Sequence, residues 1–199
     1  MKHTLTALVF GVTLLLASGG VGYAQDFQKG VKAYDKGDIA TALREWRPLA
    51  EQGDAEAQYN LGQMYRKGKG VLQDYKEAVK WYRKSAEHGL ERAQNILGFM
   101  YANGKGVTQD YKEAVKWYRK SAEQGNAWAQ SSLSAMYGLG KGVLQDKVYT
   151  HMWANIAASN GDANGGKLRD LVAEKMSASD ISEAQKLARE CVRKKYKGC

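Results

Sequence analysis

The apolar positions in the middle of the chain follow a helical spacing that occurs three times. Three consecutive segments of 36 residues align without a gap: 54–89, 90–125 and 126–161. In the first segment, Ala57, Leu61, Met64 and Tyr65 stand at i, i+4, i+7 and i+8, which is one stripe of a helix. The same stripe recurs in the other two segments, so the chain predicts an array of repeats.

Each repeat predicts two helices joined by a glycine-rich loop. The loop at residues 68–71 ends the first helix, because Gly tolerates the left-handed geometry of a helix stop. Asp74 stands at an N-cap position, and Glu77 completes a variant of the capping box. The second helix has a broad apolar face: Tyr75, Ala78, Val79, Trp81, Tyr82 and Ala86. One such unit cannot bury its own apolar faces, so stability is expected from stacking on neighbours.

Glycine and tryptophan positions predict close packing between helices. Gly62 and Gly98 stand in mid-helix, where Gly costs about 1 kcal/mol relative to Ala. We expect close approach of the two helices of a repeat to offset this cost. Because Ser134 replaces the glycine in the third repeat, we expect its two helices to lie slightly farther apart. A tryptophan recurs at one step of each second helix: Trp81, Trp117 and Trp153. We expect truncation of any one to cost roughly 3–5 kcal/mol.

The segments on either side of the array are predicted to be helical ends. Residues 25–53 form a shortened repeat without the glycine-rich loop, with a turn at 34–38 and a kink at Pro48. Residues 162–199 form a helical cap, with helices over 167–175 and 179–195.

The repeated motif resembles a known family. Each copy follows Ala-Gln-x-x-Leu-Gly-x-Met-Tyr, then Gly-x-Gly-Val-x-x-Asp, then Ala-x-x-Trp-Tyr. This pattern resembles the Sel1-like repeat, a relative of the tetratricopeptide repeat, over residues 54–161 and more loosely over 27–53. The third copy departs from it at Ser134 and at 147–151. The resemblance implies an all-α fold, a right-handed α-solenoid used as an adaptor, and no shared catalytic residues.

The first 24 residues predict export. Lys2 precedes an uncharged apolar run at residues 5–17, and Gly22-Tyr23-Ala24 fits signal-peptidase cleavage after Ala24. The run of 13 residues is shorter than the roughly 20 that a membrane span needs, so we expect no integral membrane protein. The mature chain of 175 residues is expected in the periplasm or outside the cell.

The charge favours a solvated basic surface. Removal of Lys2 lowers the formal charge from +9 to +8. Exported proteins rarely meet nucleic acid, so no nucleic-acid partner is expected. An anionic envelope polymer, peptidoglycan or lipopolysaccharide, is the alternative ligand of such a surface. The basic residues that recur on the second helices, such as Lys80, Arg83, Lys116 and Arg119, are explained by a solvated face that Glu77 and Glu113 partly neutralise.

Positions that differ between copies indicate where a partner binds. In related solenoids the first helices line the concave groove, and one face of these helices varies. Its members include charged, polar and apolar residues: Glu56, Asn60, Gln63, Arg66, Arg92, Ile96, Phe99 and Trp128. Aromatic and Arg residues are enriched in binding hot spots. Trp128 is the strongest candidate because its equivalents are charged, whereas Ile96 and Phe99 could equally pack on a neighbouring repeat.

The remaining chemistry is sparse. Cys191 and Cys199 are expected to form a disulfide in an oxidising compartment, worth roughly 2.5 kcal/mol. No catalytic motif, metal site or cofactor site is found in the sequence. Some cysteine-rich relatives have been credited with β-lactam binding, but they carry a Cys pair in every repeat, which this chain lacks. The sequence therefore predicts a non-enzymatic adaptor that binds a protein or peptide.

Overall fold

The computed structural model describes residues 19–199, and side chains from residue 26 onward. This part of the chain contains ten α-helices and no strand. They are α1 (Gly19–Asp35), α2 (Ile39–Glu51), α3 (Ala55–Lys67), α4 (Tyr75–Glu87), α5 (Glu91–Asn103), α6 (Tyr111–Ala122), α7 (Ala127–Leu139), α8 (Lys147–Ser159), α9 (Ala163–Ala173) and α10 (Ala178–Arg193). Residues 1–18 of the predicted signal peptide lie outside the described residues, and α1 runs through the predicted cleavage point after Ala24.

The helices begin and end where the repeat motif predicts. The first helix of each repeat ends at a left-handed glycine: Gly68, Gly104 and Gly140, with φ of 66°, 62° and 63°. The second helices begin after Asp74, Asp110 and Asp146, whose side chains accept backbone N–H groups. In the predicted capping box the Glu77 side chain would also accept the backbone N–H of Asp74. Instead, the Glu77 carboxylate pairs with Lys80.

The second glycine of each loop fixes one repeat against the previous one. A Cβ on Gly106 would collide with the carbonyl oxygen of Tyr75, and one on Gly142 with that of Tyr111. The loops of the second and third repeats therefore pack directly on the backbone at the start of the preceding second helix, whereas Gly70 of the first loop meets the Ile39 side chain. Only glycine leaves room for this backbone contact.

The mid-helix glycines make room for an aromatic ring rather than for a helix backbone. A Cβ on Gly62 would lie 2.7 Å from the ring of Tyr82, and one on Gly98 would lie 2.7 Å from the ring of Tyr118. In the third repeat Ser134 takes the glycine position and Ala154 the tyrosine position. The Ser134 hydroxyl donates to the Thr150 carbonyl oxygen at 2.7 Å.

The three repeat tryptophans are not equivalent. Trp117 and Trp153 are 4% and 0% exposed and lie within the core. Trp81 is half-buried and packs against the core of the N-terminal helices. The expectation of equal stability costs at the three positions is therefore too simple.

A ladder of buried glutamines joins successive repeats. The side-chain amides of Gln58, Gln94 and Gln130 donate to carbonyl oxygens of the preceding second helix at 3.0–3.1 Å. Each also bonds a residue within two positions of the end of the second helix in its own repeat: the partners are His88, Gln124 and Asn160. Buried polar groups stabilise a core only when they are hydrogen-bonded, and these meet that condition.

The two ends of the array differ from the predicted helix bounds in detail. Pro48 lies inside α2 without ending it, and the kink expected there stays a prediction. α9 begins four residues earlier than predicted, after the N-cap Asp162, whose side chain accepts the Asn164 N–H. Gly165 then lets α9 pack closely on α8, since a Cβ there would lie 2.7 Å from the Ala158 backbone nitrogen. α10 packs mainly against α8 rather than pairing with α9.

A disulfide closes the end of the chain. Cys191 and Cys199 are bonded, as predicted, with their Cα atoms 5.6 Å apart. Within the loop, the Tyr196 hydroxyl donates to the Asn160 side-chain oxygen at 3.1 Å and so extends the glutamine ladder. Within residues 19–199, no helix has the length and apolar character required to cross a bilayer.

Candidate partner-binding face

The variable positions lie on α3, α5 and α7, and we call them the first-helix face. Its members are Glu56, Asn60, Gln63, Arg66, Arg92, Ile96, Phe99 and Trp128. Arg92, Phe99 and Trp128 are exposed, and the other five are half-buried.

Equivalent positions in successive repeats are neighbours on this face. Arg92 binds both carboxylate oxygens of Glu56, at 2.7 Å and 2.5 Å, across 36 residues of sequence. Its guanidinium also lies 4.9 Å from the centre of the Tyr59 ring. Both charged side chains remain 40–45% exposed, so the ion pair contributes about 1 kcal/mol or less to stability and can be exchanged for a partner's charge.

The α3 end of the face is polar and internally hydrogen-bonded. Gln63 donates to the Tyr59 hydroxyl at 2.7 Å, and Arg66 donates to the Gln63 side-chain oxygen at 2.8 Å. These contacts hold the side chains in place. A rigid polar surface loses less conformational entropy on binding than a flexible one.

The α5 and α7 end carries the apolar residues. Ile96 packs against the core cluster that contains Leu97 and Met100, which favours a packing role for it. Phe99 is 38% exposed, with the Lys105 ammonium 5.5 Å from its ring centre. Trp128 is 66% exposed. The face thus changes from polar at α3 to apolar at α7.

A cleft that the sequence analysis missed adjoins the polar end. It has a volume of about 280 Å³ and lies between α1 and α3. Its lining residues are Val31, Tyr34, Asp35, Trp46, Tyr59, Asn60, Gln63 and Lys67. Asn60 and Gln63 therefore belong both to the face and to this cleft. The shortened N-terminal repeat gave no internal comparison from which its contribution could be inferred.

The recurring cations of the second helices are used within the fold. Lys80 pairs with Glu77, and Lys116 pairs with Glu113 at 3.0 Å, as the spacing predicts. Further cations contact aromatic side chains: Arg83 and Arg119 bond the hydroxyls of Tyr101 and Tyr137, while Lys84 and Lys120 lie over the rings of Trp81 and Trp117. Most of the recurring charge on this side is therefore engaged within the fold, and Lys76 and Lys112 are the exposed exceptions.

Titratable groups with shifted pKa values are scattered rather than clustered. Burial raises the pKa of Tyr118 to about 12, and it raises that of Tyr82 further. Burial, helped by the nearby Arg169 charge, lowers the pKa of His151. Among residues 19–199, no group of three or more His, Cys, Asp or Glu side chains is arranged to hold a metal ion.

Comparison with known proteins identifies the family. The Sel1 repeat profile matches residues 55–90, 91–126 and 129–162, so the chain belongs to the Sel1 repeat family. Sel1 repeat proteins are generally protein-interaction scaffolds. A search of curated protein sequences finds no significant match.

Solved structures agree with this assignment. A Sel1 repeat protein from Oxalobacter formigenes is 38% identical, with a TM-score of 0.60 over 65% of this chain and 97% of its own. The antigen c5321, a protective antigen present in uropathogenic Escherichia coli strains, is 28% identical with a TM-score of 0.62 over 87% of this chain. This chain spans only 47% of that antigen's length. Cysteine rich protein B of Helicobacter pylori shares the fold, at 19% identity and a TM-score of 0.52 over 66% of this chain and 94% of its own.

Proposed function

We propose that this protein is an exported scaffold that binds a segment of another protein along the first-helix face. The observation that carries the proposal is Trp128. Its side chain is 66% exposed, and the equivalent residues in the other two repeats are Glu56 and Arg92. Packing between repeats therefore does not require an indole at this position. Exposed Trp and Arg side chains are the residues most often found in binding hot spots.

The gradient along the face favours an amphipathic or extended segment as the ligand. Apolar side chains of the partner would contact Trp128 and Phe99, and its polar end would contact the Glu56–Arg92 pair and the adjoining cleft. Such a segment could cover three repeats at once, which is how solenoids build extended interfaces.

Export is part of the same proposal. The charge and apolar pattern of residues 1–24 is typical of a signal peptide, and the Cys191–Cys199 disulfide is typical of oxidising compartments. We expect the protein recovered from the periplasm or culture medium to begin at Gln25. N-terminal sequencing checks this, and an uncleaved cytosolic protein would refute it.

The binding proposal is tested by site-specific photo-crosslinking in the native host. A photoreactive phenylalanine analogue replaces Trp128 in one variant and Lys76, exposed at the start of a second helix, in the control. We expect discrete adducts from position 128 that the control does not give. Adding Arg92→Glu to the position-128 variant should remove the adducts. Identical adducts from both positions would contradict binding at the first-helix face.

A further inference from the structure

The end of the chain carries the densest positive charge among the described residues. Residues 186–197 include six cations and a single carboxylate, Glu190. All six cations are exposed: Lys186, Arg189, Arg193, Lys194, Lys195 and Lys197. We call them the cap basic face.

These cations differ from most of those on the second helices in having no ion pair or aromatic contact; on the second helices only isolated positions such as Lys76 and Lys112 lack one. Several basic side chains of the repeats form ion pairs or lie over aromatic rings, as Lys116 does with Glu113 and Lys120 with Trp117. Within residues 19–199, no member of the cap basic face takes part in an ion pair or a cation–π contact. Glu190, which lines the same depression as Lys186, Arg189 and Arg193, offsets only part of the mutual repulsion among the six cations. A helix C-terminus carries only about half a negative charge, too little to balance six cations.

The helix and loop that carry these cations are anchored to the rest of the fold. The inner face of α10 is anchored by its own buried residues Ala184, Ala188 and Cys191, and the disulfide joins the following loop back to the helix. Lys186, Arg189 and Arg193 follow at i, i+3 and i+7, so they project from one side of α10 and line one shallow depression.

A groove of mixed character begins beside the same cations. It has a volume of about 240 Å³ and lies between α8 and α10, where it is lined by Asn155, Ile156, Ser159, Ala188, Arg189 and Val192. Val192 is its exposed apolar residue, since Ile156 and Ala188 are buried. Val192 is 47% exposed next to Arg193. A soluble polyanion would use the charge alone, whereas a lipid surface offers both phosphate groups and hydrocarbon.

We propose that the cap basic face binds the surface of a bilayer that contains anionic phospholipids. Lys186, Arg189 and Arg193 contact the lipid phosphates, and Val192 reaches the edge of the hydrocarbon, while the remaining cations of the cap add to the attraction. Basic residues near an anionic membrane each strengthen binding about fivefold. The scaffold would then lie on the membrane through its cap, with the first-helix face available to a protein partner.

The test is co-sedimentation of the oxidised protein with vesicles of phosphatidylcholine, with and without phosphatidylglycerol. The test variant is Lys186→Glu/Arg189→Glu/Arg193→Glu. The matched control, Arg47→Glu/Lys76→Glu/Lys112→Glu, makes the same change in net charge at exposed repeat positions. Circular dichroism and thermal unfolding confirm that both variants keep the fold.

We expect binding only to vesicles that contain phosphatidylglycerol, weakened roughly 100-fold in the test variant and largely kept in the control. Binding should fall in about 1 M NaCl, where the Debye length is about 3 Å. Equal losses in both variants, or no binding to phosphatidylglycerol vesicles, would overturn the proposal. Displacement from the vesicles by inorganic phosphate at constant ionic strength would also overturn it, because it would identify a site for a discrete anion.

Discussion

In residues 54–125 each mid-helix glycine lies under a tyrosine ring, whereas in residues 126–161 Ser134 and Ala154 take these two positions. The exchange is paired: where the ring is lost, the glycine is lost as well. Thr150 then supplies the carbonyl oxygen that accepts the Ser134 hydroxyl. The glycine is therefore needed to make room for the tyrosine ring, and the first helix forms without a glycine where that ring is absent.

The neighbours of the two regions also differ. The first two full repeats are covered by another repeat, but the third is covered by α9 and α10. His151 on α8 is buried where the equivalent positions hold Val79 and Val115. The cap is further fixed by a covalent bond, while the repeats are joined by apolar contacts and the glutamine ladder.

The largest effect is expected from Trp153→Ala, which empties the core of the third repeat. The indole is fully buried, so we expect a loss of about 4 kcal/mol in the free energy of unfolding. Urea unfolding measures it. Trp128→Ala is the matched control, because that exposed indole should change stability by less than about 0.5 kcal/mol. Similar losses in the two variants would show that the third repeat is packed differently.

The second-largest loss of stability is expected from removal of the Cys191–Cys199 disulfide in the cap. Cys191→Ser/Cys199→Ser removes the disulfide and should lower the free energy of unfolding by about 2.5 kcal/mol, because the unfolded chain gains the freedom of the opened loop. Chemical denaturation without reductant measures the difference. Wild-type stability in the double variant would mean that the cap is held by its α8 contacts alone.

The glycine–tyrosine pairing is tested by a double-mutant cycle in the second repeat. Gly98→Ala should cost about 2 kcal/mol, because the new Cβ lies 2.7 Å from the Tyr118 ring. In the Tyr118→Ala background the same change should become stabilising by up to about 1 kcal/mol, since Ala favours helix more than Gly. Strictly additive effects in thermal or urea unfolding would disprove the pairing.

A smaller, pH-dependent effect should distinguish the third repeat from the other two. Burial and Arg169 lower the pKa of His151 below the 6.5 of an unperturbed imidazole, and the Asp170 carboxylate only partly opposes this. The unfolded chain therefore binds more protons between the two pKa values. His151 therefore costs no stability above about pH 6.5, and the free energy of unfolding falls as the pH is lowered from 6.5 toward the native pKa, by at most about 1.4 kcal/mol per pH unit.

Unfolding at a series of pH values between about 7.5 and 5.5 measures this loss. The control is His151→Val, which restores the residue of the other repeats and should remove the dependence in this range. A variant that keeps the wild-type pH profile would assign the effect to another group.

The internal repetition made most of the fold predictable. Loop glycines such as Gly68 and N-caps such as Asp74 act through local backbone geometry, so the sequence alone locates them. The glutamine ladder was missed, although Gln58 and its equivalents recur beside the buried Ala57 position in every copy. A polar residue kept in an apolar stripe was the available signal.

Other features depend on contacts that no local pattern contains. The docking of α10 on α8 and the cleft between α1 and α3 arise where the repetition ends. The Arg92–Glu56 pair joins two positions that the sequence grouped on one face without predicting contact between them. The roles of the first-helix face as a binding site remain predictions.

The central claim is that a single repeat is stable only when it packs on its neighbours. The most direct test compares the far-ultraviolet circular dichroism of the isolated segment 54–89 with that of the full protein. Its glutamine at position 58 bonds the preceding helix, and its Trp81 packs against the N-terminal core, so the isolated segment lacks the partners that stabilise it. We expect little helix and no cooperative unfolding transition from the segment, against a strongly helical full chain. A cooperatively folded, helical 54–89 segment would contradict the account.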